Sequence, residues 1–481
     1  MQTDLNHEYK RQTIHILIGM IVLAFPFLHV RYLVVLSLAL LLFVLLLPKS
    51  SRLFGLMTYH KPGASAATGR PMGAICLSGS MFLLLLIAWA LTFTRYEFPI
   101  FIIGGAIAIT TFGDGIATIL RVADQAKYVA LNEVEYPVRA YSEGRVKTES
   151  VKVSLALLFV GTVFSFLIGC WIVRWAEIMH GTEPATFPLI FFISVIGATT
   201  GTLFECVSTK VHDNITVPIG SAMVMWLFWS IEYTVSYQHV LIAFAIALVL
   251  GYLAYRVKIA DVSGLLGATL VGVLIIAFTS IWWFLLLLTF YLLGGGFTKY
   301  KYRYKQSMGI AQGKGGARGY KNVFSNSIVA IVAAICHTIF PGAADVFLYV
   351  YLGSVATAAG DTLASEIGTT YKGRPRMITT FKKVDPGTDG GVSTLGELAA
   401  TFGSVVIALF AILFGVIAID SQWLWLLGAT ITTASGFLGT NIDSLLGATL
   451  QQRGILSNSG VNVVSTIAGG IVAGVAWMIL V

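Results

Sequence analysis

Long apolar runs alternate with short polar segments along the whole chain. Most runs are close to the roughly 20 apolar residues that a helix needs to cross the hydrocarbon core of a bilayer. The pattern therefore predicts an all-α polytopic transmembrane helix bundle with about fifteen spans. The predicted spans are residues 13–29, 31–47, 72–94, 98–120, 152–175, 187–204, 215–236, 238–255, 262–279, 281–298, 325–340, 343–360, 394–418, 422–440 and 460–481.

Composition and charge agree with an integral membrane protein whose N-terminus is inside the cell. The 481 residues are 57% hydrophobic and 11% charged, whereas soluble domains contain roughly 25% charged residues. With the N-terminus in the cytoplasm, 28 of the 31 Lys and Arg residues fall in cytoplasmic segments, and the exceptions are Arg31, Arg95 and Arg174. We therefore expect a cell-membrane protein, in contact with membrane lipid, whose polar sites face the cytoplasm. The sequence does not predict an oligomeric state.

The chain divides into two halves of similar length near residues 236–239. Each half has one long polar loop, at 121–152 in the first and at 299–326 in the second, and shorter polar islands. We predict two helical membrane domains, residues 1–236 and 237–481. Charged groups beside a membrane helix are costly unless they bind something charged, so we expect these islands to bind a metal ion and a phosphate.

The first polar cluster of the N-terminal half lies at the entrance of the first span. Arg11 and His15 are four residues apart and share one helix face. An interfacial anchor is the alternative interpretation. In FGDGIAT, residues 112–118, Asp114 lies between two glycines, which let a ligand approach the backbone closely.

A second cluster is the segment ECVSTKVHDNITVP, residues 205–218, which contains Glu205, Lys210, Asp213 and Asn214. Asp213 and Asn214 could simply cap the following helix. Magnesium typically takes one or two carboxylates plus substrate phosphates. The acidic residues of this half therefore favour a Mg²⁺ site.

This first-half pattern resembles the phytol kinase and dolichol kinase family of CTP-dependent lipid kinases. The matching elements are Arg11-x-x-x-His15, the FGDGIA segment, a lysine–glutamate–serine loop, and Glu205 followed by DNITVP. The family loop usually reads Lys-Ser-x-Glu-Gly-Ser, whereas KTES at 147–150 is shorter and lacks the glycine. The resemblance implies transfer of a nucleotide γ-phosphate to a polyprenol-type hydroxyl. We expect catalysis and metal binding from Asp114, Glu205 and Asp213, and nucleotide binding from Arg11, His15, Lys147, Lys210 and Asn214.

The long polar loop of the second half, KYKYRYKQSMGIAQGKGGARGYKNVFSNS at 299–327, alternates cations with aromatic residues and then becomes glycine-rich. Exposed backbone amides beside cations can form a phosphate cradle. A positive-inside signal alone is the alternative, and the membrane context argues against nucleic acid. The candidate nucleotide-binding residues here are Lys299, Lys305, Arg318, Asn322 and Asn326.

Two further islands supply acidic side chains. In GDTLASEIG, residues 360–368, Asp361 and Ser365 are four residues apart, as are Thr362 and Glu366, so a helix would place acids and hydroxyls along neighbouring faces. Asp361 and Glu366 could then hold one metal ion together. In PGTDGG, residues 386–391, a tight turn would present Asp389. We assign catalysis and metal binding to these three acids. Further candidate nucleotide-binding residues are Thr362, Ser365, Arg376, Lys382, Gly387, Thr388 and Asp443.

Four motifs of the second half, in order, resemble the phytyl-phosphate kinase family, which includes transmembrane protein 19-like proteins. They are ARGYKNVFSN, AAGDTLASEIG, PRMITTFKKVDPGTDGGVS and GFLGTNIDSLLGATLQ, and the match spans nearly all of 240–481. That family commonly has Ala before the Asp-Thr pair, whereas Gly360 stands here. The resemblance implies phosphorylation of an isoprenoid monophosphate to the diphosphate.

Together the halves predict a bifunctional isoprenoid kinase that uses Mg²⁺ and a nucleoside triphosphate, with CTP as the expected donor. The substrates would be an isoprenoid alcohol of the phytol or geranylgeraniol type and its prenyl phosphate. A CTP-dependent lipid cytidylyltransferase is one alternative, and it would release pyrophosphate. A transporter for an anionic solute is another, although the charges cluster near one membrane face rather than at the midplane.

Overall fold

The computed structural model describes residues 2–58, 70–121, 123, 151–181, 185–207, 212–231, 235–311, 314–419 and 423–481. Within these residues, each of the fifteen predicted spans coincides with a helix, and one short pair of strands accompanies them. Ten of the described helices are long and apolar enough to cross a membrane, and two apolar helices are shorter. The prediction of an all-α polytopic membrane protein is confirmed.

The structure divides into two compact units, Met1–Leu241 and Ile242–Val481. Helix α9, Tyr237–Arg256, begins in the last residues of the first unit and continues in the second. The other described helices of the first unit are α1 Gln2–Gly19, α2 Val30–Leu46, α3 Arg52–Met57, α4 Met72–Leu91, α5 Ile100–Arg121, α6 Val151–His180, α7 Phe187–Val207 and α8 Asp213–Ser230.

Helix α5 becomes π-helical at Ile109–Asp114, and every residue of this segment is buried. Such turns insert an extra residue into a helix and are frequent at functional sites. Helices α1, α6, α7 and α8 pack around the segment. The contact with α6 is close because Gly113 has no side chain: a Cβ there would lie 3.2 Å from the Gly161 Cα. This packing places the Asp114 carboxylate in the interior of the first unit.

The second unit is built around one long helix. Its helices are α10 Val262–Phe278, α11 Ile281–Lys299, α12 Tyr302–Ser307, α13 Tyr320–Ile339, α14 Ala344–Gly368, α15 Thr394–Leu413, α16 Leu424–Leu446 and α17 Asn458–Leu480. Helix α14 packs against α11, α13, α15, α16 and α17. Small residues make these contacts close, as is common between membrane helices: a Cβ at Gly360 would lie 2.6 Å from Thr440 Oγ1 of α16.

A short hairpin connects α14 to α15. Strand β1, Arg376–Met377, pairs antiparallel with β2, Gly391–Val392. The turn between the strands packs against the end of α16, which is π-helical at Gly447–Gln451. There, Gln452 Nε2 donates a hydrogen bond to the backbone carbonyl of Asp389 at 2.8 Å. These contacts hold Asp389 beside the C-terminal end of α16.

Candidate active sites

Two carboxyl groups meet near the C-terminal ends of α14 and α16. Asp361 lies two turns before the end of α14, and Asp443 lies in the last turn of α16. Their side chains are in hydrogen-bonding contact, and Asp389 is close enough to interact electrostatically with Asp443. Adjacent carboxylates repel unless they share a proton or a cation. This acidic pair is therefore suited to binding a cation.

Helix α17 connects the acidic pair to α13 through buried polar side chains. Ser465 Oγ donates to Asp443 Oδ2 at 2.8 Å. One turn away, Asn462 Nδ2 lies 3.5 Å from Asn326 Oδ1 of α13. Asn326 Nδ2 donates to the backbone carbonyl of Asn322 at 2.9 Å, and Asn322 Oδ1 is buried without a hydrogen-bond partner. The predicted residues Asn322 and Asn326 therefore lie on the side of α13 that approaches α17.

Arg318 is held in place by its own backbone. Its N–H donates to the Ile259 carbonyl at 2.8 Å, and its carbonyl accepts from the Asp261 N–H at 3.1 Å. The guanidinium lies over Gly294 of α11, where a Cβ would be 2.6 Å from Nη2, and 5.7 Å from the centre of the Phe290 ring. The glycine thus provides the space in which the guanidinium lies.

The charge of Arg318 faces the acidic residues of α14. Burial lowers the pKa of this guanidinium, and the nearby Tyr291, Glu366 and Asp361 oppose that effect. Arginine stays protonated in proteins. Its Nη1 is buried without a hydrogen-bond partner. A fixed cation with an unused donor near the acidic pair is suited to a phosphate oxygen.

Glu366, predicted to bind a metal ion with Asp361, lies on a different face of α14. Five residues along an α-helix correspond to a rotation of about 140°. The Glu366 Oε2 atom pairs with Lys305 Nζ, and Oε1 accepts from Thr298 Oγ1 at 2.7 Å. Lys305 is only 2% exposed and also donates to the Phe297 carbonyl at 3.1 Å. In the structure this pair connects α12 to α14, and the metal-binding role of Glu366 and the nucleotide-binding role of Lys305 stay predictions.

The predicted residues near the acidic pair differ in exposure. Thr362 is buried on α14, whereas Ser365 is exposed and donates to the Thr362 carbonyl at 3.0 Å. Arg376 and Lys382 are exposed on the hairpin. Arg376 Nη1 donates to the Phe381 carbonyl at 3.2 Å.

Two further predicted side chains contact backbone carbonyls. Lys299 Nζ donates to the Val257 carbonyl at 2.6 Å, which fixes the end of α11 to the end of α9. Thr388 Oγ1 donates to the Asp385 carbonyl at 2.7 Å within the hairpin turn. The adjacent Gly387 has a φ of 84°, a left-handed conformation that favours glycine. In the structure both side chains stabilise the local backbone.

In the first unit, α1, α4 and the start of α8 bring several predicted residues together. Asn214 Nδ2 donates to the Gly73 carbonyl at 3.0 Å. A Cβ at Gly73 would lie 4.0 Å from Arg11 Nη1. Asp213 Oδ1 lies 2.8 Å from His212 Nδ1 and accepts from the Asn214 N–H at 3.0 Å. The N-cap of α8 is His212, whose Nδ1 also accepts from the Asn214 N–H at 3.2 Å, and Asp213 supports this first turn while remaining close to the other polar residues.

His15 lies beside this group. Its ring hydrogen-bonds to the Thr110 backbone in the π-helical segment, and Arg11 and Asp213 interact with it electrostatically. His15 Nε2 and Asn214 Oδ1 are both buried without hydrogen-bond partners. The arrangement leaves polar atoms that a bound substrate could engage.

The other two predicted acids of the first half, Asp114 and Glu205, each contact a residue of α5. Glu205 Oε1 pairs with Arg121 Nη2 at 2.6 Å, and Asp114 Oδ1 accepts from Thr118 Oγ1 at 3.4 Å. Asp114 and Arg121 are seven residues apart on α5, about 10 Å along the helix axis. The predicted residues Lys147 and Lys210 lie outside the described residues.

Among the residues that the structure describes, no three His, Cys, Asp or Glu side chains are grouped closely enough to hold a metal ion alone. Magnesium does not need such a group, because it usually keeps several waters and takes one or two carboxylates plus substrate phosphates. The contacting carboxyl groups of Asp361 and Asp443 fit this donor set. Asp114, Glu205 and Asp213, which all lie among the described residues, do not form such a group of three.

Three partners in these sites were not found from the sequence: Ser465, Thr298 and Arg121. A hydroxyl in an apolar helix usually bonds to a carbonyl of its own helix, so nothing in the sequence around Ser465 distinguishes it. Thr298 and Arg121 pair with residues 68 and 84 positions away. Such partners are set by tertiary packing.

Comparison with known proteins identifies a family of integral membrane proteins. The family described as Integral membrane protein DUF92 matches residues 245–470. An uncharacterised membrane protein of Methanocaldococcus jannaschii is 34% identical over 232 residues, which are 48% of this chain and 91% of that protein. Protein PGR of Arabidopsis thaliana is 32% identical over 232 residues, 45% of this chain and 80% of that protein. The chloroplastic protein VTE6 of the same plant is 32% identical over 217 residues, 44% and 63% respectively. No solved structure matches the chain.

Proposed function

Because this chain belongs to the DUF92 integral membrane protein family, we propose that it is a membrane enzyme that phosphorylates isoprenoids. The second unit transfers the γ-phosphoryl group of a nucleoside triphosphate to a prenyl monophosphate and forms the diphosphate. The first unit forms the monophosphate from the isoprenoid alcohol. The resemblance of each half to an isoprenoid kinase family supports these two assignments, and CTP is the proposed donor.

The observation that carries the proposal is the contact between Asp361 and Asp443, with Arg318 close enough to interact electrostatically with Asp361. Phosphoryl transfer needs little covalent chemistry from the protein and depends on positioning and on neutralising charge. Arg318 has an unused donor for a phosphate oxygen. The acceptor phosphate is already an anion, so this unit needs cationic groups more than it needs a general base.

The proposed magnesium ligands of the second unit are Asp361 and Asp443, with Asp389 nearby. This differs from the ligand set expected from the sequence, since Glu366 pairs with Lys305 and Asp443 takes its place. When bound, the ion would neutralise the phosphate oxygens of the nucleotide. Arg318 would hold a phosphate group, and the small-residue packing of α14 would keep the two aspartates in register.

In the first unit, the proposed substrate site lies where Arg11, His15 and Asn214 come together. Arg11 would neutralise a phosphate group. The unpartnered atoms His15 Nε2 and Asn214 Oδ1 would contact the alcohol or the nucleotide. Asp114, buried in the π-helical segment, is the proposed catalytic carboxylate of this unit. We propose that both units act at the cytoplasmic face, as the distribution of Lys and Arg indicates.

The experiment that tests the proposal uses the purified full-length protein in detergent. The protein is incubated with Mg²⁺, with one of several nucleoside triphosphates, and with a panel of isoprenols and prenyl monophosphates. Mass spectrometry should show prenyl monophosphate and diphosphate, together with the nucleoside diphosphate. Release of pyrophosphate with CMP on the lipid would instead identify a cytidylyltransferase. Absence of turnover with every donor and acceptor would favour a carrier, since detergent removes any gradient.

A further inference from the structure

Asp443 is oriented by a hydrogen bond from another helix. Ser465 of α17 is 1% exposed, and its Oγ lies 2.8 Å from Asp443 Oδ2. The same Oγ lies 3.1 Å from the Asn462 carbonyl. A serine hydroxyl has one hydrogen to donate, so it bonds to either the carboxylate or the carbonyl of its own helix. An ionised Asp443 is the stronger acceptor and draws that hydrogen.

Helix α17 is itself held at this point by a polar contact with α13. Asn462 is buried, and its Nδ2 lies 3.5 Å from Asn326 Oδ1. Asn326 is 2% exposed, and its Nδ2 donates to the Asn322 carbonyl one turn earlier. Both side chains are surrounded by protein, where rotation away from these partners would leave polar atoms unsatisfied. Together with the packing of α17 against α13, α14 and α16, this contact sets the rotation of α17 and with it the direction of Ser465.

We propose that Ser465 is a positioning residue for Asp443: its hydroxyl, fixed through Asn462 and Asn326, holds the carboxylate in the orientation that binds the cation together with Asp361. The role rests on the proposed function, because it presumes that the acidic pair binds a divalent cation. Residues that orient metal ligands typically contribute about 10- to 100-fold to metal affinity.

The neighbouring Thr466 provides a matched control. It is equally buried, at 1% exposed, and its Oγ1 donates to the same Asn462 carbonyl at 2.8 Å. Its other acceptor is the Val463 carbonyl at 2.9 Å, so both of its recorded partners belong to α17. Thr466→Ala removes a methyl group as well as the hydroxyl, so it disturbs the packing of α17 at least as much as Ser465→Ala does, and it removes no hydrogen bond to Asp443.

The test measures Mn²⁺ binding to the full-length protein in detergent by electron paramagnetic resonance, without nucleotide or lipid. The ion bound by the wild-type protein and lost in Asp361→Asn is assigned to the acidic pair. Ser465→Ala and Ser465→Cys should both lower the affinity for that ion about 10- to 100-fold. Cysteine keeps the side-chain volume but is a weak donor. The Mn²⁺ affinity of Thr466→Ala should stay within about threefold of the wild-type affinity, a small change compared with the one expected for Ser465→Ala.

Four outcomes would overturn the proposal. If Ser465→Ala binds Mn²⁺ as the wild-type protein does, then Ser465 does not position Asp443. If Ser465→Cys behaves as wild type, or Thr466→Ala loses as much as Ser465→Ala, then packing rather than the hydrogen bond matters. If the wild-type protein binds no ion that depends on Asp361, the cation site itself is absent, and the failure then belongs to the proposed function as well.

Discussion

Asp361 and Glu366 lie on the same helix, yet they have different neighbours. Asp361 contacts another carboxyl group, which favours a bound cation, whereas Glu366 already has a lysine partner. We expect Asp361→Asn to reduce diphosphate formation about a hundredfold or more, because it removes a negative charge that attracts the cation. Monophosphate formation from the alcohol should continue. Mass spectrometry of both products measures the effect.

The control for Asp361→Asn is Asp345→Asn, the same change near the other end of the same helix. Asp345 is exposed in the first turn of α14, far from the acidic pair. This variant should form both products at the wild-type rate. Loss of monophosphate formation in Asp361→Asn would contradict the assignment of the second reaction to this site.

The buried pair of Lys305 and Glu366 should contribute to folding rather than to chemistry. Both side chains are almost fully buried. Removing one partner leaves an uncompensated buried charge, which typically costs about 3–5 kcal/mol, whereas replacing both is much less harmful. We therefore expect Lys305→Met and Glu366→Gln each to lower the unfolding midpoint, and the double variant to recover much of the loss. Strictly additive losses would show that the two residues do not interact.

An exposed ion pair of the first unit serves as the control for this double-mutant cycle. Arg174 and Glu177 are 2.7 Å apart, with both side chains more than a third exposed. Surface pairs typically contribute at most about 1 kcal/mol. Glu177→Gln should therefore leave the unfolding midpoint nearly unchanged under the same conditions.

At the scale of helices, α11 offers a test of whether the position of Arg318 matters. A Cβ at Gly294 would lie 2.6 Å from Nη2 of Arg318, so Gly294→Ala should displace the guanidinium. On the same helix, a Cβ at Gly296 would meet nothing within 4 Å. Gly296→Ala should be neutral or slightly stabilising, since alanine favours a helix over glycine by about 1 kcal/mol. We expect diphosphate formation to fall at least about tenfold in Gly294→Ala only.

The unfolding temperature of each variant separates an effect on the position of Arg318 from an effect on folding. Both glycine variants should unfold at temperatures close to that of the wild-type protein if Arg318 can move aside without opening the helix packing. A raised KM for the prenyl monophosphate in Gly294→Ala would agree with Arg318 as a phosphate-binding residue. Equal activity in the two variants would show that Arg318 is not needed in its observed place.

The sequence predicted the helices well because hydrophobic length determines them in a membrane. The predicted span ends at residue 360. Helix α14 continues to Gly368, since no residue in that polar stretch interrupts a helix. Helical spacing already separates the face of Asp361 from that of Glu366. What the sequence could not show is which helix each face meets. Packing between distant segments brings Lys305 to Glu366 and Ser465 to Asp443.

At the scale of the whole chain, two compact units each contain a cluster of the predicted polar residues. A covalent connection keeps the second unit near the product of the first, which raises its effective concentration. A prenyl monophosphate also stays in the membrane because of its apolar tail, so it can reach the second unit without entering water. The two activities should therefore be separable by mutation although one chain carries both.

The decisive test of this separation is Asp114→Asn in the first unit. Asp114 lies in the buried π-helical segment that α1, α6 and α8 surround, and its loss should abolish monophosphate formation from a supplied alcohol. Added prenyl monophosphate should bypass the defect and yield diphosphate at the wild-type rate, since no residue of the second unit is changed. Mixing this variant with Asp361→Asn should restore diphosphate formation from the alcohol, because the intermediate can pass between molecules in a shared micelle. A variant that fails with both substrates would mean that the first unit is needed for the second reaction, and the division of labour between the units would have to be abandoned.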